Sequence, residues 1–351
     1  MSRPPRLQAA ASTATMRAEA SMRVSPSVRA VQVPDENPMH PQCTTIYLVG
    51  DGQALAIDSG EAVDRYRWML RGYLAAIERC EIALAAVTHH HADHAGNLRW
   101  VREAFGASVL VPRAARSLLR GKLPRDGVEV LADGQVIELD GGVRVQVLET
   151  PGHTRDSLCF YIESEGVLFT GDTMLGSTTT TVSDLAAYRA TLRRLLDLPN
   201  LKVICPGHGP LIVDPRERIH AYIAHRDERE RQILEFLERA GRPVTSWEIM
   251  LALYPDIHPR LRRAADNNVR AHLEQLAREG RLEVMPGIPR EPDPARRARE
   301  AEHAREQERV IRLARRYEAE RRRALIRAQE NPPTAEWKRP PRFRLIGRAR
   351  D

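Results

Sequence analysis

The segment 88–96, with the sequence THHHADHAG, constrains this chain more than any other. A buried-strand pattern precedes it and a helical pattern follows it. Alternate side chains of extended backbone point to the same side, so His89 and His91 face one way together. Asp93 and His94 fall on the turn into the helix, where they can reach a second point nearby. Because imidazole and carboxylate groups are the ligands of catalytic zinc, the segment predicts a metal centre.

Three later elements share one arrangement, in which a β run ends at a tight glycine turn that bears a ligand-type side chain. They are ETPGH at 149–153, FTGD at 169–172 and CPGHG at 205–209. Strands of one sheet that end at one edge would gather these side chains against the histidine-rich segment. The count fits two ions, and we predict this ligand set: His89, His91 and His153 for one, Asp93, His94 and His208 for the other, and Asp172 as the bridge.

The remaining histidines do not fit this pattern. Strand parity points His90 away from its two neighbours, so it is left out of the predicted ligand set. Single histidines outside a motif carry no prediction, and these are His40, His220, His258, His272 and His303.

Two ions about 3.5–4 Å apart can share a water molecule and lower its pKa, which yields a bridging hydroxide near neutral pH. The predicted catalytic residues are Asp93, which would also orient or deprotonate the water, and the bridging Asp172. Zinc is the expected metal for both positions, with manganese or iron as alternatives.

Strand and helix patterns alternate between residues 31 and 215. Strand-type runs lie at 45–49, 54–57, 82–87, 143–148, 158–162, 167–170 and 202–205, and helical patterns at 63–79, 96–105 and 185–196. Several of these strands follow one another without an intervening helix. The sequence therefore predicts a mixed α/β domain with antiparallel hairpins rather than a doubly wound parallel sheet.

A second domain is predicted over residues 216–285. A helix at 216–240 ends at a Gly-Arg-Pro sequence, and Thr245 with Glu248 forms a capping box for the next helix. A third helix at 264–279 is followed by a short strand at 281–284. Three helices and a strand are the layout of a small winged-helix module.

The two ends of the chain differ in charge from its middle. Residues 1–30 carry a net charge of +4 and residues 291–351 carry +7, which leaves −4 for residues 31–290. Residues 1–30 are predicted to be a disordered leader or an organelle transit peptide. Residues 286–351 are predicted to be a proline-containing linker, a charged helix at 295–329 and an extended or disordered end. The scattered cysteines favour the cytoplasm, with the mitochondrion as the alternative if the leader is a transit peptide.

Several of these elements resemble those of a known family. Residues 88–94, 151–154, 171–172 and 206–209 resemble the metal-binding motifs of the metallo-β-lactamase superfamily. Asp58 matches that superfamily's early aspartate, which implies that it orients a metal ligand from behind. Residues 225–232 and 241–280 resemble the branch named for β-lactamase-like protein 2, and the likeness covers about 33–285. It implies an αββα sandwich followed by a winged helix, and the predicted charged helical tail after residue 291 lies outside the resemblance.

The sequence departs from this family at the turn after His153. It reads Thr-Arg-Asp-Ser at 154–157, where the family more often has Thr-Pro-Gly-Ser. This difference predicts a differently shaped mouth for the site.

The resemblance implies a hydrolase but leaves several substrates open. The resemblance implies a single-strand endoribonuclease as the first expectation, and a thioesterase, or a lactonase or glyoxalase-II-like hydrolase, as the alternative. The basic tail favours RNA, whereas the acidic middle opposes a long basic track. The expected partner is therefore a small ester or thioester, or single-stranded RNA. No membrane partner is expected, because no run approaches the roughly 20 apolar residues of a membrane helix.

A different class of function is a DNA-binding regulator that uses the winged helix. Asn267, Asn268 and Arg270 would then contact the DNA. Residues 241–290 contain eight arginines against six acidic residues, which is weak for a DNA-binding surface.

Overall fold

The computed structural model describes residues 21–35, 37, 39, 40, 42–76, 80–289, 337–339 and 341–345. These residues form two compact units. The first contains the described residues up to Thr180 together with Ala187–Tyr222, and the second contains Thr181–Ala186 and the described residues from Ile223 onward. None of the helices in this described part combines the length and the apolarity that crossing a bilayer requires.

The first unit contains two sheets. Seven strands form the first sheet in chain order: β1 (Ser21–Ser25), β2 (Val28–Pro34), β3 (Cys43–Val49), β4 (Gly52–Ile57), β5 (Cys80–Ala86), β6 (Ser108–Pro112) and β7 (Val128–Leu131). Strands β1 to β4 are antiparallel, and β4 to β7 run parallel.

Five strands form the second sheet: β8 (Val136–Glu138), β9 (Arg144–Glu149), β10 (Leu158–Ile162), β11 (Val167–Gly171) and β12 (Val203–Pro206). Their order is β12-β11-β10-β9-β8. Strand β12 pairs parallel with β11, so both strands end at the same edge, and the other neighbours pair antiparallel.

The two sheets pack face to face through apolar side chains. Leu55, Ile57 and Tyr47 of the first sheet share one core with Phe160 and Phe169 of the second. In a sandwich of two sheets, apolar residues that face the other sheet alternate along each strand with residues that face outward. The predicted mixed α/β architecture is therefore confirmed.

Helices cover the outer faces of the sandwich. They are α1 (Asp64–Ala76), α2 (Ala92–Ala95), α3 (Leu98–Phe105), α4 (Ala115–Leu118) and α5 (Leu185–Leu196). Tyr66 and Leu70 of α1 pack on the outer side of the first sheet beside Ile46 and Leu48. Every residue of β10 and β11 is buried, as expected for strands covered on both sides. The layers are αββα.

The second unit is a winged helix. Helix α6 (Pro215–Ala240) leads into it, and its own elements are β13 (Val244–Thr245), α7 (Ser246–Leu253), α8 (Arg262–Arg278), β14 (Leu282–Met285), β15 (Ile288–Pro289), β16 (Trp337–Arg339) and β17 (Arg342–Leu345). Strands β13, β17 and β14 form one antiparallel sheet. Val269, Leu273 and Leu276 of α8 pack in its core with Ile249 and Phe343.

Two predicted boundaries are wrong. Residues 21–30 do not belong to a leader, since β1 and β2 lie in the first sheet with Val28 and Ala30 fully buried. The end of the tail is not merely extended, because β17 completes the winged-helix sheet and buries Phe343. The other predicted leader residues, 1–20, and the charged helix at 295–329 lie outside the described residues.

The capping box at the start of α7 gives a testable stability effect. Thr245 accepts from the backbone N–H of Glu248, and the Glu248 carboxylate accepts from the backbone N–H of Thr245 at 2.8 Å. Thr245→Ala is expected to lower the free energy of unfolding of this unit by about 1 kcal/mol. Chemical denaturation measures the change. Thr245→Ser retains the hydroxyl and should stay close to the parent, whereas equal losses in both variants would contradict the capping explanation.

Candidate metal centre

The histidine-rich segment begins directly after β5, in the connection that leads to the parallel strand β6, and it is hydrogen-bonded to the second sheet. It follows β5, and the backbone N–H of Leu158 in β10 donates to the carbonyl of Thr88 at 2.8 Å. The N–H of Gly207 donates to the carbonyl of Gly171 at 2.8 Å and so joins the turns after β11 and β12, and the turn after β9 places Nε2 of His153 3.3 Å from Nδ1 of His91 in the segment. The strand ends therefore converge on one place, as the sequence predicted.

The first group of side chains contains His89, His91, His153 and Asp172, whose ligand-type atoms all lie within 4.8 Å of one another. Nε2 of His89 is 2.8 Å from Nδ1 of His91, which is 3.3 Å from Nε2 of His153. Oδ2 of Asp172 lies 3.7 Å from Nε2 of His153. Three imidazoles and one carboxylate face a common point.

The second group contains Asp93, His94, His208 and again Asp172. Oδ2 of Asp93 lies 3.3 Å from Nε2 of His94 and 3.0 Å from Nε2 of His208. Oδ1 of Asp172 lies 3.2 Å and 3.3 Å from the same two nitrogens. Because Asp172 turns one oxygen to each group, it occupies the position between them.

Hydrogen bonds behind the rings fix which nitrogen faces each group. Nδ1 of His94 lies 2.7 Å from Oδ2 of Asp58, which also accepts from the hydroxyl of Thr88. Nδ1 of His208 lies 3.0 Å from the carbonyl of Cys43. Such contacts behind a histidine set its tautomer and ring orientation.

The rings of the first group have matching contacts. Nδ1 of His89 lies 3.1 Å from the hydroxyl of Thr88, and Nδ1 of His153 lies 3.0 Å from the hydroxyl of Thr180. His90 points elsewhere, with Nδ1 2.8 Å from Oδ1 of the buried Asp156. Asp156 lies in the turn that departs from the family pattern, so this turn is joined to the histidine-rich segment.

Burial keeps His89 and His91 of the first group neutral. Desolvation, together with the neighbouring His94, holds the pKa of His89 well below its usual value. Burial and the neighbouring His153 lower the pKa of His91 to about 4. Neutral imidazole is the form that binds a metal ion.

The second group holds positive charge instead. Burial opposes protonation of His94, but the carboxylates of Asp93 and Asp58 outweigh it and hold the pKa of His94 well above its usual value. Burial likewise opposes protonation of His208, yet Asp172 raises its pKa to about 10. Two buried carboxylates at this place demand a cation, and a divalent metal ion can replace the protons.

The hydrogen-bonding pattern of the second group fits a metal ion. Nε2 of His94, Nε2 of His208 and Oδ1 of Asp172 are buried and lie within 3.3 Å of oppositely charged neighbours, but within the described part of the chain none of them makes a hydrogen bond of good geometry. Buried polar atoms are nearly always hydrogen-bonded, so three such atoms facing one point need a partner. Nitrogen and carboxylate oxygen donors around that point match the preferences of zinc.

Gly207 leaves room for this group. A Cβ atom at this position would lie 2.6 Å from Cε1 of His94 and 2.9 Å from Oδ1 of Asp172. Gly207→Ala is therefore expected to displace these ligands and to weaken metal binding by roughly 10–100-fold, the range seen when ligand orientation is lost. Chelator competition measures the affinity.

Gly72→Ala is the matched control for Gly207→Ala. Gly72 lies in α1, and a Cβ atom there meets nothing within 4 Å. The control should keep the metal affinity of the parent. Equal affinities in all three proteins would contradict the close-contact explanation.

One residue near the second group was not predicted from the sequence. His40 places Nε2 3.2 Å from Oδ2 of Asp93 and stacks on the ring of His208 with 4.7 Å between centroids. His40 is a single histidine outside any metal-binding motif, so the sequence around it does not indicate a ligand. Only the pairing of β3 with the turn after β12 brings it here.

The chain resembles known proteins in both units. The family described as "Metallo-beta-lactamase superfamily" matches residues 41–208, and the "Beta-lactamase associated winged helix domain" matches residues 245–284. A Beta-lactamase-like protein 2 homolog from Caenorhabditis elegans is 33% identical over 267 residues, which cover 74% of this chain and 88% of that protein. An Atrochrysone carboxyl ACP thioesterase from Aspergillus fumigatus is 36% identical over 220 residues, covering 62% of this chain and 67% of the thioesterase.

Solved structures agree on the fold. A metallo-beta-lactamase family protein from Thermus thermophilus superposes with a TM-score of 0.64 at 28% identity, covering 75% of this chain and 97% of that one. A Beta-lactamase domain protein from Burkholderia ambifaria gives a TM-score of 0.67 at 21% identity, over 76% and 90% of the two chains.

Proposed function

This chain belongs to the metallo-β-lactamase superfamily, and from that premise we propose that it is a dinuclear zinc hydrolase that cleaves a small acyl thioester or ester. The observation that carries the proposal is Asp172, which turns one carboxylate oxygen to each of two imidazole-rich groups. A shared carboxylate between two sets of ligands is the arrangement that a two-ion site requires.

Each side chain has a definite task in this proposal. One ion would be held by His89, His91 and His153. The other would be held by Asp93, His94 and His208, and Asp172 would bind both ions. When bound, the two ions would lower the pKa of a water molecule and stabilise negative charge in the transition state. Asp58, 3% exposed, would keep the ring of His94 in its orientation.

Asp93 is the proposed catalytic base as well as a ligand. Its side chain is 12% exposed, so one side of the carboxylate can reach a water molecule at the mouth of the site. It would accept a hydrogen bond from that water and take its proton. The water oxygen adds to the acyl carbon, the carbon–sulfur bond breaks, and a carboxylic acid and a thiol are released.

Two observations favour a small thioester over RNA. One relative, 36% identical, carries the name of an acyl carrier protein thioesterase. The central part of the chain, residues 31–290, has a net charge of −4, which does not attract a polyanion. Single-stranded RNA is the second candidate because residues 291–351 carry a net charge of +7.

The test offers both substrates to zinc-loaded protein in parallel. An acyl thioester reports through the thiol that it releases, and an end-labelled single-stranded RNA reports through its fragments. We expect thiol release that the double variant Asp93→Ala, His94→Ala abolishes, with the RNA left intact. Fragments that only the parent produces would replace the thioester proposal with the endoribonuclease one. If protein with two bound ions cleaves neither substrate, both proposals are wrong and lactones are the next substrates to assay.

A further inference from the structure

We propose that His40 is an additional ligand of the second metal ion, beside Asp93, His94 and His208. This inference rests on the proposed two-ion site but goes beyond the ligand set that the sequence motifs predict. It starts from the position of the loop between β2 and β3, which contains both Asp35 and His40.

The fold brings this loop to the metal centre. Thr44 at the start of β3 forms a β-bridge with His208, and the N–H of Thr45 donates to the carbonyl of Gly207 at 2.8 Å. A residue just before β3 must therefore lie beside the turn that carries His208. The rings of His40 and His208 are parallel within 3°.

Asp35 determines which nitrogen of His40 faces the site. Oδ2 of Asp35 lies 2.8 Å from Nδ1 of His40, and Oδ1 of Asp35 accepts from the backbone N–H of Asn37 at 2.9 Å. A carboxylate only accepts hydrogen bonds, so Nδ1 of His40 carries the hydrogen. Nε2, the other ring nitrogen, then lies on the side of the ring that faces Asp93.

This nitrogen faces a second carboxylate. Nε2 of His40 lies 3.2 Å from Oδ2 of Asp93, which is itself 3.0 Å from Nε2 of His208. An ion between Nε2 of His40 and this carboxylate would be bound by both, because imidazole nitrogen and carboxylate oxygen are the ligands that zinc prefers. The ligand-type atoms of His40, Asp93 and His208 lie within 4.8 Å of one another, which suits a shared cation.

The same arrangement occurs at a member of the predicted ligand set. His94 places Nδ1 2.7 Å from Oδ2 of Asp58 and Nε2 3.3 Å from Oδ2 of Asp93. His40 repeats this geometry with Asp35 in place of Asp58. A carboxylate behind one ring nitrogen and a metal ion at the other is the usual environment of a ligating histidine.

The experiment measures metal binding rather than activity. Zinc affinities of the parent and of His40→Gln are determined by chelator competition, and cobalt-substituted samples are examined by NMR for contact-shifted imidazole N–H signals. Each ligating histidine bonded through Nε2 gives one such signal. His220→Gln is the matched control, since His220 is exposed on α6.

We expect His40→Gln to bind one of the two ions with roughly 10–100-fold lower affinity and to lose one shifted N–H signal. The control should keep the affinity and the number of signals of the parent. Asp35→Asn preserves the shape of the loop and should weaken the same ion to a smaller extent. If His40→Gln binds two ions with unchanged affinity and shows an unchanged number of shifted signals, the inference about His40 is wrong, while the proposed function still stands. A parent protein that binds no ions would overturn the proposed function as well.

Discussion

Asp172→Asn is expected to lower kcat/KM by about 10³-fold or more and to leave the fold intact. The substitution keeps the size of the side chain but removes the charge that both groups of ligands share. Loss of metal-assisted stabilisation of the transition state costs several kcal/mol, and about 4 kcal/mol corresponds to 10³-fold in rate. Steady-state hydrolysis of the thioester measures the effect on activity.

The bound metal separates this explanation from a general loss of structure. We expect elemental analysis of Asp172→Asn to show fewer than two ions per chain, while its circular dichroism matches that of the parent. Asp197→Asn is the control, because Asp197 is exposed at the end of α5. An Asp172→Asn protein that keeps two ions and full activity would show that Asp172 is not the bridge.

The candidate metal centre was the most predictable part of this molecule because each of the side chains predicted to form it lies in a local sequence motif. Parity within the segment 88–94 separates His89 and His91 from His90, and each later ligand follows a strand that ends in a glycine turn. Such signals do not depend on distant contacts.

The strands at the two ends of the chain could not be predicted in this way. A single arginine interrupts the apolar pattern of β2, where Val28 and Ala30 are buried while Arg29 pairs with Asp51. Phe343 packs in the winged-helix core, yet more than 50 residues separate β17 from its neighbour β14. A strand whose partner is distant in sequence carries little local information, because its packing decides its structure.

His40 shows the same limit within the site. No motif surrounds it, and its position follows from the bridge between Thr44 and His208, which join parts of the chain 164 residues apart. Local patterns therefore predict the ligands that come from strand ends, whereas a residue that approaches from a neighbouring loop becomes visible only in the folded structure.

Removing the metal ions is expected to lower the melting temperature of the hydrolase unit by roughly 10 °C. A ligand that binds only the folded state at a free concentration 1,000 times its Kd contributes about 4 kcal/mol. For a unit of this size each kcal/mol corresponds to about 2–4 °C. Without the ions, the buried Asp93 and the largely enclosed Asp172 (side chain 12% exposed) lie against His94 and His208, and their charges must be balanced by protons at a cost in desolvation.

Calorimetric scans with saturating zinc and with excess chelator measure this difference. The variant His208→Ala, Asp172→Asn provides the internal control. It lacks one ligand of the second group, His208, and the carboxylate charge of Asp172, which both groups share. Its melting temperature should change much less between the two conditions than that of the parent. If the parent melts at the same temperature with and without zinc, the buried groups are not a metal site, since a cation bound among four such side chains must stabilise the fold that holds it.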